Sequence, residues 1–385
     1  PRHRLVIKNM RPLLSVLLLA AALFVTAAPV AVHRRAAFQS AGVWADDNYS
    51  HYRSITFPAS EVAESASAVV PIDLSNLPAH FWDNTRTDLA DVRFYSSDHS
   101  TLMPHTLEAV DDTAETGIAY IYVYLDATTD QAAHLYYDYP SAAAFSTPED
   151  VFDATGADYM GLWLMDDAAD GPQDSATALA AIQLDNFNTE SGDQVAGQLG
   201  HSVDLDGSNE YYKTTTSTDA TNNLRPDTTF TAGCWFYAGD FSDGVPFQGS
   251  GSSTSAGYGF WIWGSNFRAS LGNGGNVWTG LTEATAGESA DTWYQYIFTW
   301  DGSNARAYLD GTELGSSPVA ETGSWTWSSQ PFFVGRRESA GYYHGRIDHI
   351  FVHDDTWNAN RIALQYALEA LTYGLTISTP QTDKP

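Results

Sequence analysis

The sequence predicts an all-β protein: two β-sandwich domains in tandem, with one short helix close to the C-terminus. Three observations predict it. Short runs rich in Val, Ile, Tyr, Phe and Trp alternate with period two along most of the chain, and clusters of Gly, Asn, Asp and Ser separate them. Only residues 358–371 repeat apolar side chains at helical spacing, with Leu364, Leu368 and Leu371 at i, i+4 and i+7. The 385 residues are enough for two ordinary cores, and a composition 43% hydrophobic and 13% aromatic belongs to folded domains.

The chain opens on a targeting pattern. Lys8 and Arg11 form a basic flank, residues 13–25 are an apolar run, and Thr26, Ala27 and Ala28 offer small residues for a cut. Residues 1–28 are therefore expected to be a signal peptide, with a membrane anchor as the alternative; Pro29 and the short apolar run favour export. Met10 stands where a start would be expected. Cleavage after Ala28 removes four cations and no acid, taking the net charge from -29 to -33. That charge comes from 47 acids against 18 Lys and Arg, and it excludes a phosphate backbone as partner. The acids are dispersed, as on a solvated surface, in a protein with many cation contacts or in one adapted to high salt. Cys234 is the only cysteine, so no intrachain disulfide forms, and Gly233 and Trp235 beside it suggest a buried strand position.

After a lead-in at 29–48, a first β domain is expected over 49–140. Its clearest strand covers 118–125, where Ala119, Ile121, Val123 and Leu125 alternate with Ile118, Tyr120, Tyr122 and Tyr124. Both faces are apolar or aromatic, which suits a central strand. A linker rich in Ala, Ser and Pro is expected at 141–157, a second domain over 158–371 and a polar tail at 372–385. The second domain centres on residues 293–314, read as three strands joined by Asp301-Gly302-Ser303-Asn304 and by Asp310-Gly311, a favoured hairpin pair. Its closing helix has Asn358 as N-cap and Trp357 placed to pack on Ile362.

Five motifs run in order through the second domain. They are Gly200 to Gly207 with Tyr211; Trp235; Trp293 with Asp301-Gly302 and Tyr308-Leu309-Asp310-Gly311; Phe333-Val334-Gly335; and Gly345-Arg346-Ile347-Asp348. Together they resemble the laminin-G-like, concanavalin A-like jelly-roll family. In the first domain, Tyr52 to Thr56, Asp91-Val92-Arg93-Phe94, Pro104-His105 with Glu108, and Leu135-Tyr136-Tyr137 are similar to an uncharacterised domain family that often precedes such jelly rolls in exported microbial proteins. The first resemblance implies a jelly roll with a structural Ca²⁺ near its rim; the second implies no known activity. Asp348 is the metal candidate the family points to. Asp174 is a second, although Ala176-Thr177-Ala178 replaces the glycine and asparagine of the usual loop. The plain alternative makes Asp174 a turn residue and Asp348 the cap of a strand.

Glucanase relatives carry Glu-x-Asp-x-x-Glu on one strand, and this chain has no such triplet. Nor does it carry a Gly-x-Ser-x-Gly, a His-Glu-x-x-His or a phosphate-cradling loop. His349 and His353 lie too far apart along a strand to share one metal. Aromatic residues outside or at the edges of the family motifs include Tyr258, Trp261, Trp263, Trp278, Trp325, Trp327, Tyr342 and Tyr343. Flat aromatic rings stack on sugar rings, so these are the candidate ligand-binding residues, with core packing as the alternative. Along 258–263, Phe260 and Ile262 oppose Trp261 and Trp263, and one pair must face the core. The expected function is non-catalytic: a secreted or surface-displayed binding or adhesion protein for a glycan or other cell-surface ligand, with no membrane span in the mature chain. The alternatives are a structural component of a cell-surface or virion assembly, and a glycoside hydrolase.

Overall fold

The structure is a computed structural model that describes residues 48–146, 148–152, 159–166, 184–189, 191–214, 224–226, 228–252, 256–272, 279–284, 287–320, 330–338 and 340–381. It is all-β, with four antiparallel sheets. Among the described residues, no helix is long and apolar enough to cross a membrane.

The first module has two sheets. Five strands run in the order Thr376–Ile377, His51–Phe57, Gln131–Tyr137, Arg93–Ser96, Leu102–Met103. Three more run Ala66–Asp73, Thr116–Leu125, His105–Asp111. Ile55, Phe57, Val70, Phe94, Ile121 and Leu135 fill the core between them. Strand Thr116–Leu125 is the centre of its sheet, as its two apolar faces require. Ala119, Ile121, Val123 and Leu125 enter this core, while Ile118, Tyr120 and Tyr122 face the second module.

The second module is a sandwich of a nine-stranded and a seven-stranded sheet. Phe236, Phe260, Tyr296, Phe298, Trp300 and Val352 lie among the rings and aliphatics of its core. The meander appears as Trp293–Trp300, Asn304–Leu309 and Thr312–Glu313. Asp310 and Gly311 take φ of 48° and 73°, the left-handed pair that a two-residue hairpin needs. Cys234 is buried in this core.

The outer face of the nine-stranded sheet is covered. Ile297, Tyr308, Phe351 and Leu162 from that sheet pack with Val69, Ile118 and Tyr120 of the first module, and with Trp357 and Ile362 at the helix start. The helix spans Ala359–Glu369, and the Asn358 side chain accepts the Arg361 N–H at 2.9 Å. Its Leu364 and Leu368 belong to the first module's core. Leu371 departs from expectation: the helix ends before it, its φ is 55°, and it is 37% exposed.

Two expected connectors are structural. Within 141–157, Pro148–Phe152 is a short helix that buries Val151 and Phe152 between the modules; five residues are too few for periodicity to show in the sequence. The same is true of helix Ala79–Asn84, which buries Phe81 and Trp82. The stretch 372–385, expected as a polar tail, supplies an edge strand instead. Ile377 sits opposite Ile55, Ser378 N donates to Ser54 O at 2.8 Å, and Gln381 pairs with Tyr52. The chain therefore returns to complete the first module's sheet.

A β-bulge sets the chemistry of the junction. Strand His344–His353 pairs with Phe230–Ala238, but the register shifts between Gly233 and Trp235, with Phe351 opposite Gly233 and Asp348 opposite Trp235. Two residues, His349 and Ile350, thus oppose Cys234 alone, and His349 has φ 46°. Ile347, Ile350 and Val352 point into the jelly-roll core, whereas Asp348 and His349 lie consecutively on the outer face.

Candidate functional site

A sandwich offers two outer sheet faces for binding. Here one is occupied by the helix and the first module, so the outer face of the seven-stranded sheet is the one left. Its strands run Thr279–Ala284, Asn266–Leu271, Ala256–Ile262, Gly244–Ser252, Phe333–Val334, Tyr211–Thr214, Leu184–Phe187. Period-two alternation decides what they show. Tyr258, Phe260, Ile262, Phe267, Ala269 and Leu271 point into the core, which turns Trp261, Arg268 and Ser270 outward. In the same way Phe247, Val334 and Tyr212 point inward, and Gln248, Phe333, Tyr211 and Lys213 outward.

Two arginine–aromatic clusters stand on this face. The Arg336 guanidinium lies 4.1 Å from the Tyr211 ring centroid, 5.2 Å from Phe333 and 5.5 Å from Tyr342. It donates to Tyr342 Oη at 3.1 Å, to Arg337 O at 2.8 Å and to Glu338 O, which pins the turn after Gly335 across the sheet. Gln248 Oε1 also holds that turn, accepting Glu338 N–H at 3.3 Å. Arg337 lies against both Trp261 and Trp263, at 5.6 and 5.4 Å, and the two indoles are 6.0 Å apart. Such contacts contribute about 0.5–1 kcal/mol each at exposed positions. Gly259 lets the Trp261 indole approach, since a Cβ there would stand 3.0 Å from Nε1 and 2.8 Å from Phe247 O. Arg268 sits directly opposite Trp261 on the neighbouring strand.

The predicted ligand residues divide accordingly. Trp261, Trp263 and Tyr342 are on the outer face, with Trp261 only 6% exposed and the other two half-buried. Tyr258 and Tyr343 do not belong there. Both are buried among core side chains, where alternation placed them, and the Tyr258 hydroxyl donates to Leu224 O at 3.0 Å. Trp278, Trp325, Trp327 and Asp174 lie outside the described residues. Sequence reasoning missed Arg268, Arg336, Arg337 and Gln248. The adjacent Arg336-Arg337 in so acidic a chain was the available signal.

Asp348 proves to be an internal residue. It is fully buried, its Oδ2 accepts Leu199 N–H at 3.0 Å, and burial pushes its carboxyl well above the usual range. Calcium requires six to eight oxygens, and among the described residues no three His, Cys, Asp or Glu side chains converge as ligands. Asp348, whose Oδ1 is buried without a hydrogen-bond partner, keeps the metal role only as what the family resemblance implies. It belongs to a polar hub between the modules. The Tyr120 hydroxyl donates to Glu108 Oε2 at 2.5 Å and meets His349 Nε2 at 3.0 Å, and His349 Nδ1 faces Glu369 Oε1 at 3.5 Å. Glu369 also accepts from Trp235 at 2.8 Å, Gln295 at 2.6 Å and Gln365 at 2.6 Å.

Glu108, Asp348 and Glu369 are 5%, 0% and 7% exposed, so these carboxylates are closed off from a substrate. An open groove of about 630 Å³ runs beside the hub, lined in part by Asp73, Asp111, Gln194, Gln198 and His201. His201 N–H donates to Glu108 at 3.1 Å, and Gly200 and His201 separate that carboxyl from the groove. The groove's lining has no Trp, Tyr or Phe.

Comparison with known proteins agrees with the tandem arrangement. Residues 206–363 match the family model of the concanavalin A-like lectin/glucanases superfamily, and residues 88–176 match a domain of unknown function, DUF2341. No curated protein matches the chain. Solved structures similar in fold include the receptor binding domain of botulinum neurotoxin C/D mosaic serotype. It is 10% identical, with TM-score 0.44, covering 54% of this chain and 51% of that one. Another is domain 4 of a GH43 extracellular arabinanase from Geobacillus stearothermophilus, in complex with arabinotriose. It is 12% identical, with TM-score 0.41, covering 53% of this chain and 96% of that one. The chain thus spans about half the length of the neurotoxin domain.

Proposed function

We propose that this protein is a non-catalytic carbohydrate-binding module, exported and displayed or released outside the cell, that holds a glycan on the outer face of its seven-stranded sheet. The observation that carries the reading is the Trp261–Trp263 pair with Arg337 against both rings, on the one jelly-roll face the first module leaves uncovered. The half-buried Trp263 indole, backed by the buried Trp261 and fixed by a cation, keeps its rotamer, so stacking a sugar on it costs little ordering entropy. The superfamily of the jelly roll takes its name from both lectins and glucanases. The binding half of that name is supported by the enclosure of Glu108, Asp348 and Glu369, which leaves no pair of these acids flanking a bound chain.

A glycan array probed with the intact protein tests this reading, alongside a Trp263→Ala variant. Binding to at least one neutral or acidic glycan class is expected. Loss of the ring should weaken it by roughly tenfold, from the ~0.5–1.5 kcal/mol of an aromatic contact together with lost apolar area. Silence across the array, or full binding by the variant, overturns the reading.

A further inference from the structure

Among the described residues, the sheet face that the first module does not cover carries cations that no carboxylate neutralises. With 47 acids against 18 basic residues, an arginine in this chain has carboxylates in excess to choose from. Several half-buried arginines do choose one: Arg86 pairs with Asp88 at 2.8 Å, Arg306 with Glu313 at 2.8 Å and Arg346 with Asp204 at 3.3 Å. Arg268 and Arg337 do not. Among the described residues neither guanidinium meets a carboxylate or any other acceptor, and the Nε of each is buried without a hydrogen-bond partner. Gln248, fully buried and directly opposite Gly259, leaves its Nε2 without an acceptor in the same patch. Three donors on this one patch are unmatched, a cost that a ligand supplying acceptors would remove.

Resting on the reading of this face as a sugar site, we infer that it takes an acidic sugar: a residue bearing a carboxylate, seated with its ring on Trp263 and its charge on Arg268 and Arg337. A carboxylate offers two acceptor oxygens in the plane that a guanidinium fork matches. Glu338 stands in the patch as well, with Oε2 buried and unpartnered, and supplies an acceptor for a ring hydroxyl. The nearby Asp243 carboxylate is already bonded to Gly264 N–H at 2.7 Å. The remaining surface acids repel a long polyanion but not a single charge. At physiological salt the field of distant carboxylates is screened beyond about 8 Å, which leaves the local arginines in control. Affinity for a short acidic oligosaccharide therefore holds steady or rises with salt, opposite to the behaviour of a broad basic patch.

Calorimetry on the intact protein tests the inference. The probes are tetragalacturonate, an alginate tetramer and a sialylated tetrasaccharide, each compared with its methyl ester, in which the ring remains and the charge is gone. At least one acid is expected to bind tenfold or more tightly than its ester. Arg268→Gln should erase most of that preference while leaving the ester's affinity and the melting temperature unchanged, Arg337→Gln should erase it while also weakening the ester, because this cation holds both indoles, and Trp263→Ala should weaken acid and ester alike. Equal binding of an acid and its ester removes the anion subsite and leaves the sugar site standing. A preference that survives in both arginine variants overturns the assignment to these residues. Binding of none of the three acids overturns the inference, and the glycan array then decides separately whether the face binds sugar at all.

Discussion

His349 and Glu108 show how a residue's surroundings fix its charge. Burial alone depresses an imidazolium, yet the carboxylates of Asp348 and Glu369 outweigh it and lift His349 to about 9. Burial raises Glu108 to about 7, against the opposing pull of His349 and the Tyr120 hydroxyl. Burial also opposes Glu369, but its bonds from His349, Trp235 and Gln365 hold it below the ordinary value. Arg361 of the helix adds a further cation near Glu369. The signs follow from linkage. Glu108 contributes stability that is complete below its unfolded value of 4.5 and lost as pH rises through 7. His349 contributes stability that is complete below 6.5 and lost as pH rises through about 9. Both losses run in the alkaline direction, so melting temperature should fall steadily from pH 6 to 9. In Glu108→Gln the part of that fall below about pH 7 should flatten, by on the order of 1–3 kcal/mol, as read from denaturant melts at pH 5.5 and 8.5. His349→Ala removes the imidazolium that faces the buried Glu369 and leaves it only neutral donors and Arg361, and about 3–5 kcal/mol of destabilisation at pH 7 is expected in the same melts.

At the scale of elements, the C-terminal helix and the strand after it serve two bodies at once. Ile362 packs at the junction, Leu364 and Leu368 lie in the first module's core, and Thr376–Ile377 closes that module's sheet. Leu368→Ala should therefore cost about 2–5 kcal/mol, although it lies beyond the last jelly-roll strand. Removing residues 375–385 takes away the backbone bonds from Ser378 and Gln381 and the Arg53 Nη1 bond to Ser378 O at 2.8 Å. The strand His51–Phe57 then becomes an open edge, and limited proteolysis should cut the truncated chain in the first module sooner than the full chain. The bulge at His349 is a second such device. It turns two successive side chains to one face, which regular alternation forbids, and so places Asp348 and His349 together in the junction.

At the scale of the molecule, the first module acts as the cover of a sheet face. Ile297, Tyr308, Phe351, Trp357 and Ile362 would form an apolar patch on an isolated jelly roll. Residues 158–371 expressed alone should self-associate or bind the separately expressed first module, visible as a shift in size-exclusion elution. A monodisperse jelly roll at high concentration would contradict the covering role. In the proposed reading, coverage of one face leaves ligand binding to the other, where Trp261, Trp263 and Arg337 stand.

The sequence by itself determined what local pattern governs. The two apolar faces of 118–125, the Asp310-Gly311 hairpin, the Asn358 cap, the buried Cys234 and the jelly-roll motifs could be read because each depends on neighbours a few residues away or on a linear series of motifs. Alternation announced that one of the pairs Phe260/Ile262 and Trp261/Trp263 faces outward; only the packed sandwich decided which. The tertiary structure alone decided that Asp348 is interior, that Tyr258 and Tyr343 are core, that the chain end returns to Ile55, and that Arg268 and Arg337 gather around one indole. These facts share one physical cause. Burial, bulge register and charge pairing are set by segments distant in sequence, and period-two patterning says which residues share a face but not what lies against it.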